Sequence, residues 1–182
     1  MRASMDDSRH ASDSALHWHE TLRDGTRVLI RPIQKEDAAI ERAFLERLSA
    51  GSRAFRFHGE VKVSDAMIKR LTDVNCQRDM AFVALRHDEG EKREIGVCRF
   101  CVSDDGRACE CAVAIGDEWQ GRGLGYLLMC HLIEVARQRG IEQMIAIVST
   151  GNRAMGGLAT SLGFEPEDAR DYPGEIVYRL KM

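Results

Sequence analysis

Apolar residues along the chain recur at two different spacings, and the switches between them mark out the elements. Arg27 to Arg31 alternates with period two and reads as a strand that Pro32 ends. Ala39, Ile40, Ala43, Phe44 and Leu48 then follow helical spacing, behind the acidic pair Glu36-Asp37 that suits a helix N-terminus. A second helix is predicted from Ser64 to Thr72, with Ser64 as N-cap and Met67, Ile68 and Leu71 on its buried face. Three strands follow, Met80 to Arg86, Glu94 to Val102 and Ala108 to Ile115. Polar turns join them, Ser103-Asp104-Asp105-Gly106-Arg107 the clearest, which implies an antiparallel meander. Gly125 to Arg139 is the longest predicted helix, carrying Leu128, Leu132, Val135 and Ala136 on one face and closing at Gly140. An apolar strand from Gln143 to Ser149, a short helix from Asn152 to Leu162 and a last strand from Glu175 to Lys181 complete the pattern.

This order, strand, helices, three strands, helix, strand, helix, strand, implies one mixed α/β (α+β) domain with a mostly antiparallel central sheet flanked by helices. The start of the chain stands apart. Met1 to about Ala15 is polar and has no apolar period, so residues 1–20 are expected to form a disordered tail and 21–182 the domain. His10, His17 and His19 fall in that tail, where a loose histidine cluster is incidental more often than metal-binding.

A chain of 182 residues suits one core and leaves no room for a second regulatory domain. Lys and Arg number 26 against 29 Asp and Glu, a net charge of −3, so there is no broad basic footprint for nucleic acid. No apolar run reaches the roughly 18 to 20 residues of a membrane helix. No signal peptide is present either, and the expected location is cytoplasmic.

The six cysteines invite a metal reading, because Cys98 and Cys101 form C-x-x-C and Cys109 and Cys111 follow. Strand alternation argues against it. Residues three apart point to opposite faces, so Cys98 and Cys101 cannot both join a cluster, and no Gly or Pro lies between them to make the turn of a zinc knuckle. The reading adopted is small thiols in a reducing compartment, with no metal.

Chemistry concentrates where the strand ending at Ile115 passes through Trp119-Gln120-Gly121-Arg122-Gly123-Leu124-Gly125 into the longest helix. Glycines there let the backbone approach a ligand closely, and the helix N-terminus favours an anion. The loop lacks Gly-Lys-Ser/Thr, and a G-x-G-x-x-G frame from Gly121 meets Tyr126 where glycine is needed, so NTPase and dinucleotide readings both weaken.

Gln120, Gly123 and Gly125 instead fit Q-x-x-G-x-G, which resembles the pyrophosphate loop of the GNAT superfamily of acyl-CoA-dependent N-acyltransferases. The apolar strand before the loop, the strand Gln143 to Ser149, Asn152-Arg153-Ala154-Met155 and Leu162-Gly163-Phe164 extend the resemblance to about residues 25–182. Ile30-Arg31-Pro32-Ile33 with Glu36-Asp37, Ser52-Arg53-Ala54-Phe55-Arg56-Phe57, and Glu110 before Val113-Ala114-Ile115 are further similar to the catalytic domain of bacterial Pat-type protein-lysine acetyltransferases.

The resemblance implies a GNAT fold whose strands splay around acyl-CoA, and transfer of an acetyl group from acetyl-CoA to a primary amine, by preference a protein lysine. A small amine or amino acid as acceptor, and a catalytically silent acyl-CoA-binding module, stay open as alternatives. A lysine amine with a pKa near 10.4 is neutral in only roughly one molecule in a few thousand at pH 7, so a base is needed. Glu110 interrupts the apolar strand Cys109 to Ile115, shares a face with the small Ala112 and Ala114, and stands where the family has its general base.

By the same resemblance, the N–H of Val113 or a near neighbour is the donor to the thioester oxygen, and backbone groups of Val113 and Ile115 pair with pantetheine, with Ala114 between them in the cofactor-binding segment. Gln120, Gly121, Arg122, Gly123, Leu124, Gly125 and Tyr126 hold the pyrophosphate, with Arg122 either adding charge or solvated. Asn152 bonds the pantetheine arm, caps its helix, or does both. Trp119 is a packing residue. Many family members carry a tyrosine four residues before the glycine of Leu162-Gly163-Phe164 as general acid, and here that position is Ala159. Tyr126 and Tyr172 cannot be placed from sequence, which leaves water to protonate the thiolate. Cys109 and Cys111 alternate away from Glu110, against a covalent acyl-cysteine route. A homodimer is compatible with this reading.

Overall fold

A computed structural model of the chain describes residues 16–76, 78–88, 90–167 and 173–182. Eight strands form one sheet: β1 (Trp18–Thr21), β2 (Arg27–Pro32), β3 (Met80–Asp88), β4 (Glu91–Val102), β5 (Ala108–Ile115), β6 (Gln143–Ser149), β7 (Glu165–Glu167) and β8 (Glu175–Lys181). Their order across the sheet is β1-β2-β3-β4-β5-β6-β8-β7. Every neighbouring pair is antiparallel except β5 and β6, which run parallel and pair only from Ala108–Gln143 to Glu110–Ile145. Beyond that last rung the two strands part, and the parting is what creates a site.

Five α-helices lie among the described residues: α1 (Ala38–Arg47), α2 (Ala50–Phe57), α3 (Asp65–Thr72), α4 (Leu124–Gln138) and α5 (Arg153–Ser161). They cover the two faces of the sheet with separate cores. On one face Leu128, Leu132 and Ala136 of α4 pack on Phe82, Phe100, Cys109 and Cys111. Phe44 and Leu45 of α1 with Ile68 and Leu71 of α3 cover the other, against Val83, Leu85, Val97 and Ala114. The caps anticipated from sequence are in place: Ser64 Oγ accepts from Met67 N at 3.3 Å, and α4 ends at Gly140 (φ 74°), whose left-handed conformation lets Ile141 N reach Ala136 O at 3.1 Å.

The boundary of the leader shifts. Residues 18–20 belong to β1, because Trp18 stacks on His131 at 4.1 Å, meets Phe82 edge-on at 5.2 Å, and Glu20 Oε1 lies 2.8 Å from His131 Nε2. The rest of the expected tail, residues 1–15 with His10, lies outside the described residues, as does Tyr172.

One buried pair is costly to the fold. Glu41 of α1 and Glu94 of β4 are each about 1% exposed, and their carboxyls face each other with no other hydrogen-bond partner among the described residues, so that only a retained proton can link them. Burial, then the charge of Glu41, raises the Glu94 carboxyl well above the ordinary carboxylate range. The folded state therefore keeps a proton at pH values where the unfolded chain, with its glutamates near 4.3, has released it. More protons bound in the folded state means that stability falls as pH rises through that window. Glu94→Gln supplies a permanent N–H donor, and is expected to raise stability at pH 8 by about 1–3 kcal/mol, with the gain shrinking toward pH 4. Urea denaturation at the two pH values checks this; equal or lower stability at pH 8 contradicts it.

Candidate active site

Where β5 and β6 part, a cleft of about 630 Å³ opens. The edge of β5 from Cys111 to Ile115 lines it without a strand partner on that side, while β6 stays paired with β8 up to Ser149–Glu175. Extended backbone with an open edge is a template for any ligand carrying amide groups. At one end of this edge the chain turns through Asp117–Trp119 into the glycine loop and α4.

The loop is built to present N–H groups. Gly121 (φ 73°) and Gly123 (φ 92°) occupy left-handed backbone that disfavours other side chains, and Gly123 is the N-cap of α4. The first intrahelical bond runs from Leu127 N to Gly123 O at 3.2 Å, so the N–H groups of the first turn have no acceptor within the helix. Gly125, in that turn, gives close access to the cleft: a Cβ there would stand 3.2 Å from Leu158 Cδ2.

The anticipated residues are brought together unevenly. Glu110, Val113, Ala114, Ile115, Gln120, Gly121, Gly123, Gly125, Tyr126 and Asn152 all line the cleft. Gln120 is partly committed, its Nε2 donating to Ile115 O at 3.2 Å and so fixing the end of β5. Asn152 caps α5, accepting from Met155 N at 3.1 Å. Two side chains leave. Leu124 is 1% exposed and enters the core under Gly96, because the first turn of α4 faces the sheet there. Arg122 turns out to Asp24 at 2.6 Å and lies over the Trp119 ring at 4.7 Å; hydrogen bonding from Thr26 first, and then from Arg122, holds the Asp24 carboxyl down at about 2. The cation beside the loop is Arg23 instead: a Cβ on Gly123 would stand 3.5 Å from Arg23 Nε.

Trp119 is buried and packs at the floor of the cleft, its Nε1 donating to Glu118 Oε1 at 3.1 Å. Ala159 is buried in the core. Glu110 is exposed on β5 between the buried Cys109 and Cys111, which belong to the core on the α4 face. Burial pushes the Cys109 thiol up to about 12 and raises the Cys111 thiol well above the ordinary thiol range, so neither supplies a ready thiolate. Cys98 likewise lies in the α4-face core, whereas Cys101 sits opposite Glu110 in register on the other face, as strand alternation requires.

The sequence reading missed the wall formed by α2. Ser49 caps this helix, accepting from Ser52 N at 3.1 Å, and Asp117 ties it to the glycine loop by accepting from Ser49 N at 2.8 Å and Ser52 Oγ at 2.6 Å. Burial pushes the Asp117 carboxyl up, but those hydrogen bonds outweigh it and leave the group below its ordinary value. Phe55, Arg56 and His58 thereby face the cleft. His58 ends α2 in left-handed conformation (φ 54°), its Nδ1 2.6 Å from Glu175 Oε1. The arginines and aromatics of Ser52 to Phe57 were visible in the sequence, but nothing local showed which of them turns inward.

A strand edge open beside a glycine-capped helix N-terminus is the geometry that a bound acyl-CoA requires. The family model described as acetyltransferase (GNAT) domain matches residues 27–165. The chain belongs to this family. It is an acyl-CoA-dependent N-acetyltransferase with the GNAT fold. An acetyltransferase of Pseudomonas aeruginosa is 47% identical over 167 residues, which are 91% of this chain and 90% of that one. The GNAT domain of S. lividans PAT superposes with a TM-score of 0.83 at 25% identity, covering 91% of this chain and 97% of the other. An L-methionine sulfoximine/L-methionine sulfone acetyltransferase of P. aeruginosa is 45% identical over 56 residues, 31% of this chain and 33% of that protein. No helix among the described residues is long and apolar enough to cross a membrane.

Proposed function

We propose that this GNAT enzyme acetylates lysine side chains of proteins in the cytoplasm, by direct transfer from acetyl-CoA with Glu110 as general base. The observation that carries this reading is the position of Glu110, exposed on the last rung before β5 and β6 separate, at the inner end of the open β5 edge. The Pat-type resemblance favours lysine.

Acetyl-CoA, when bound, supplies the thioester that the amine attacks. The N–H groups of Gly121, Gly123 and Gly125 and the positive end of α4 hold its pyrophosphate, with Arg23 and Arg153 as cations. Neither arginine side chain has a hydrogen-bond or ion-pair partner among the described residues, and both line the cleft. The backbone groups of Val113 and Ile115, which alternate away from β4, pair with the pantetheine amides, and the Val113 N–H donates to the thioester oxygen as negative charge grows there. Asn152, already an N-cap, keeps its amide donors for the pantetheine arm. Glu110 takes the proton of the amine, directly or through one water, as the N–C bond forms and the C–S bond breaks. The CoA thiolate leaves and is protonated by water.

A panel of lysine peptides, free amino acids and small amines, each offered with acetyl-CoA and read by mass spectrometry, tests the acceptor. Acetylated lysine in the peptides is expected. Brisk turnover of a small amine with no peptide product overturns the lysine reading, in favour of the amino-acid acceptors that the partial relative's name suggests. Acetyl-CoA bound but nothing acetylated would make the chain a silent acyl-CoA-binding module.

A further inference from the structure

Three arginines in the cleft have no side-chain hydrogen-bond or ion-pair partner among the described residues, and they divide by position. Arg23 adjoins the glycine loop and Arg153 opens α5 beside Asn152, both where phosphates are expected. Arg56 does not. It projects from α2 on the face opposite α4, among Arg99, Cys101, Glu41 and Glu110, which form its electrostatic surroundings. Its guanidinium lies 4.8 Å from the Phe57 ring centroid, a contact that orients the plane and satisfies none of its five N–H donors.

The neighbourhood is short of negative charge within bonding distance. Arg99, on the same face of β4, donates Nη2 to Leu71 O at 3.1 Å, and its Nε is buried without a partner. Neither Glu41 nor Glu110 reaches ion-pair distance of either guanidinium. Loss of water and the proximity of Arg99 bring Arg56 down to about 10. Other arginines nearby are already engaged: Arg53 donates to the carbonyls of Leu45, Glu46 and Leu48, and Arg47 to Glu94 O. A half-buried guanidinium with a second cation beside it and no bonded anion, in a cleft wall next to the proposed base, is a site for a carboxylate.

We propose that Arg56 binds a carboxylate on the acceptor, adjacent to the amine that Glu110 deprotonates. This rests on the placement of the acceptor amine at Glu110, and adds a determinant of which amines are used. The same chemistry can come from an acidic residue flanking a protein lysine or from the α-carboxylate of a free amino acid.

Two matched acceptor pairs distinguish the sources at saturating acetyl-CoA. One is a lysine peptide with glutamate next to the lysine against the same peptide with glutamine. The other is an α-amino acid against its amide, with rates compared per free-base amine. Wild-type protein is expected to favour the carboxylate member of at least one pair by roughly tenfold or more in kcat/KM, chiefly through KM. The preference should fall toward one in Arg56→Gln and be partly kept in Arg56→Lys, which retains charge without the planar fork. Preference in the peptide pair alone supports both the subsite and the lysine reading. Preference in the amino-acid pair with neither peptide acetylated supports the subsite and overturns the lysine reading. Equal rates for both members with peptide acetylation intact overturn the subsite and leave the lysine reading standing. No turnover of any of the four, or a preference that survives Arg56→Gln, overturns the subsite.

Discussion

Glu110→Gln is expected to lower kcat by roughly 10²-fold or more while acetyl-CoA affinity stays within about twofold. The amide matches the carboxylate in shape and polarity but cannot accept the amine proton, so only the proton-transfer step is touched. Glu110 is exposed, belongs to no ion pair among the described residues, and is not needed by either core, so the substitution leaves the fold intact. The flanking cysteines cannot take its place, since both are buried on the opposite face with thiols held protonated. His58 is another candidate proton acceptor lining the cleft among the described residues, oriented by Glu175. Should kcat survive in Glu110→Gln and collapse in His58→Ala, the base is His58 and the assignment fails. Calorimetry with acetyl-CoA and steady-state rates on the same preparations read both quantities.

Gly123→Val should act on the other substrate, raising KM for acetyl-CoA by about 10²-fold with a much smaller change in the acceptor's KM. Gly123 is the N-cap of α4 at φ 92°, a conformation that a β-branched residue adopts only at a cost of about 1–3 kcal/mol. The new side chain would also crowd Arg23, 3.5 Å from the Cβ position. Relief comes from rotating the loop, which withdraws N–H groups from the phosphate. One or two lost charge-assisted hydrogen bonds, at about 1.5–3 kcal/mol each, correspond to the stated factor. An unchanged KM would show that the pyrophosphate is held elsewhere.

Most of this was legible in the sequence wherever periodicity and packing coincide. α4 buries Leu128, Leu132, Val135 and Ala136 as its spacing demanded, and the hairpin around Gly106 set the register that pairs Cys101 with Glu110. The glycines of the loop announced an anion site because their side-chain-free backbone has few other uses. β1 was not legible, since its four residues Trp-His-Glu-Thr hold their place through Trp18 and Glu20 contacts with His131, more than a hundred residues away. α2 failed for a related reason. Its cap is local, but what turns Phe55, Arg56 and His58 into the cleft is the tether from Asp117 to Ser49 and Ser52, which no local pattern contains. The same limit explains the exchange of Arg122 for Arg23 beside the loop: the cation in the motif was visible, and its partner Asp24 was not.

The central claim is that amine and acetyl-CoA occupy the cleft together and the acetyl group passes directly between them. Initial velocities measured with a lysine peptide and acetyl-CoA varied against each other test it most directly. Direct transfer predicts intersecting double-reciprocal lines and no acetyl group on the protein when acetyl-CoA is incubated without acceptor. Parallel lines, with one acetyl group retained on Cys109 or Cys111, would contradict it.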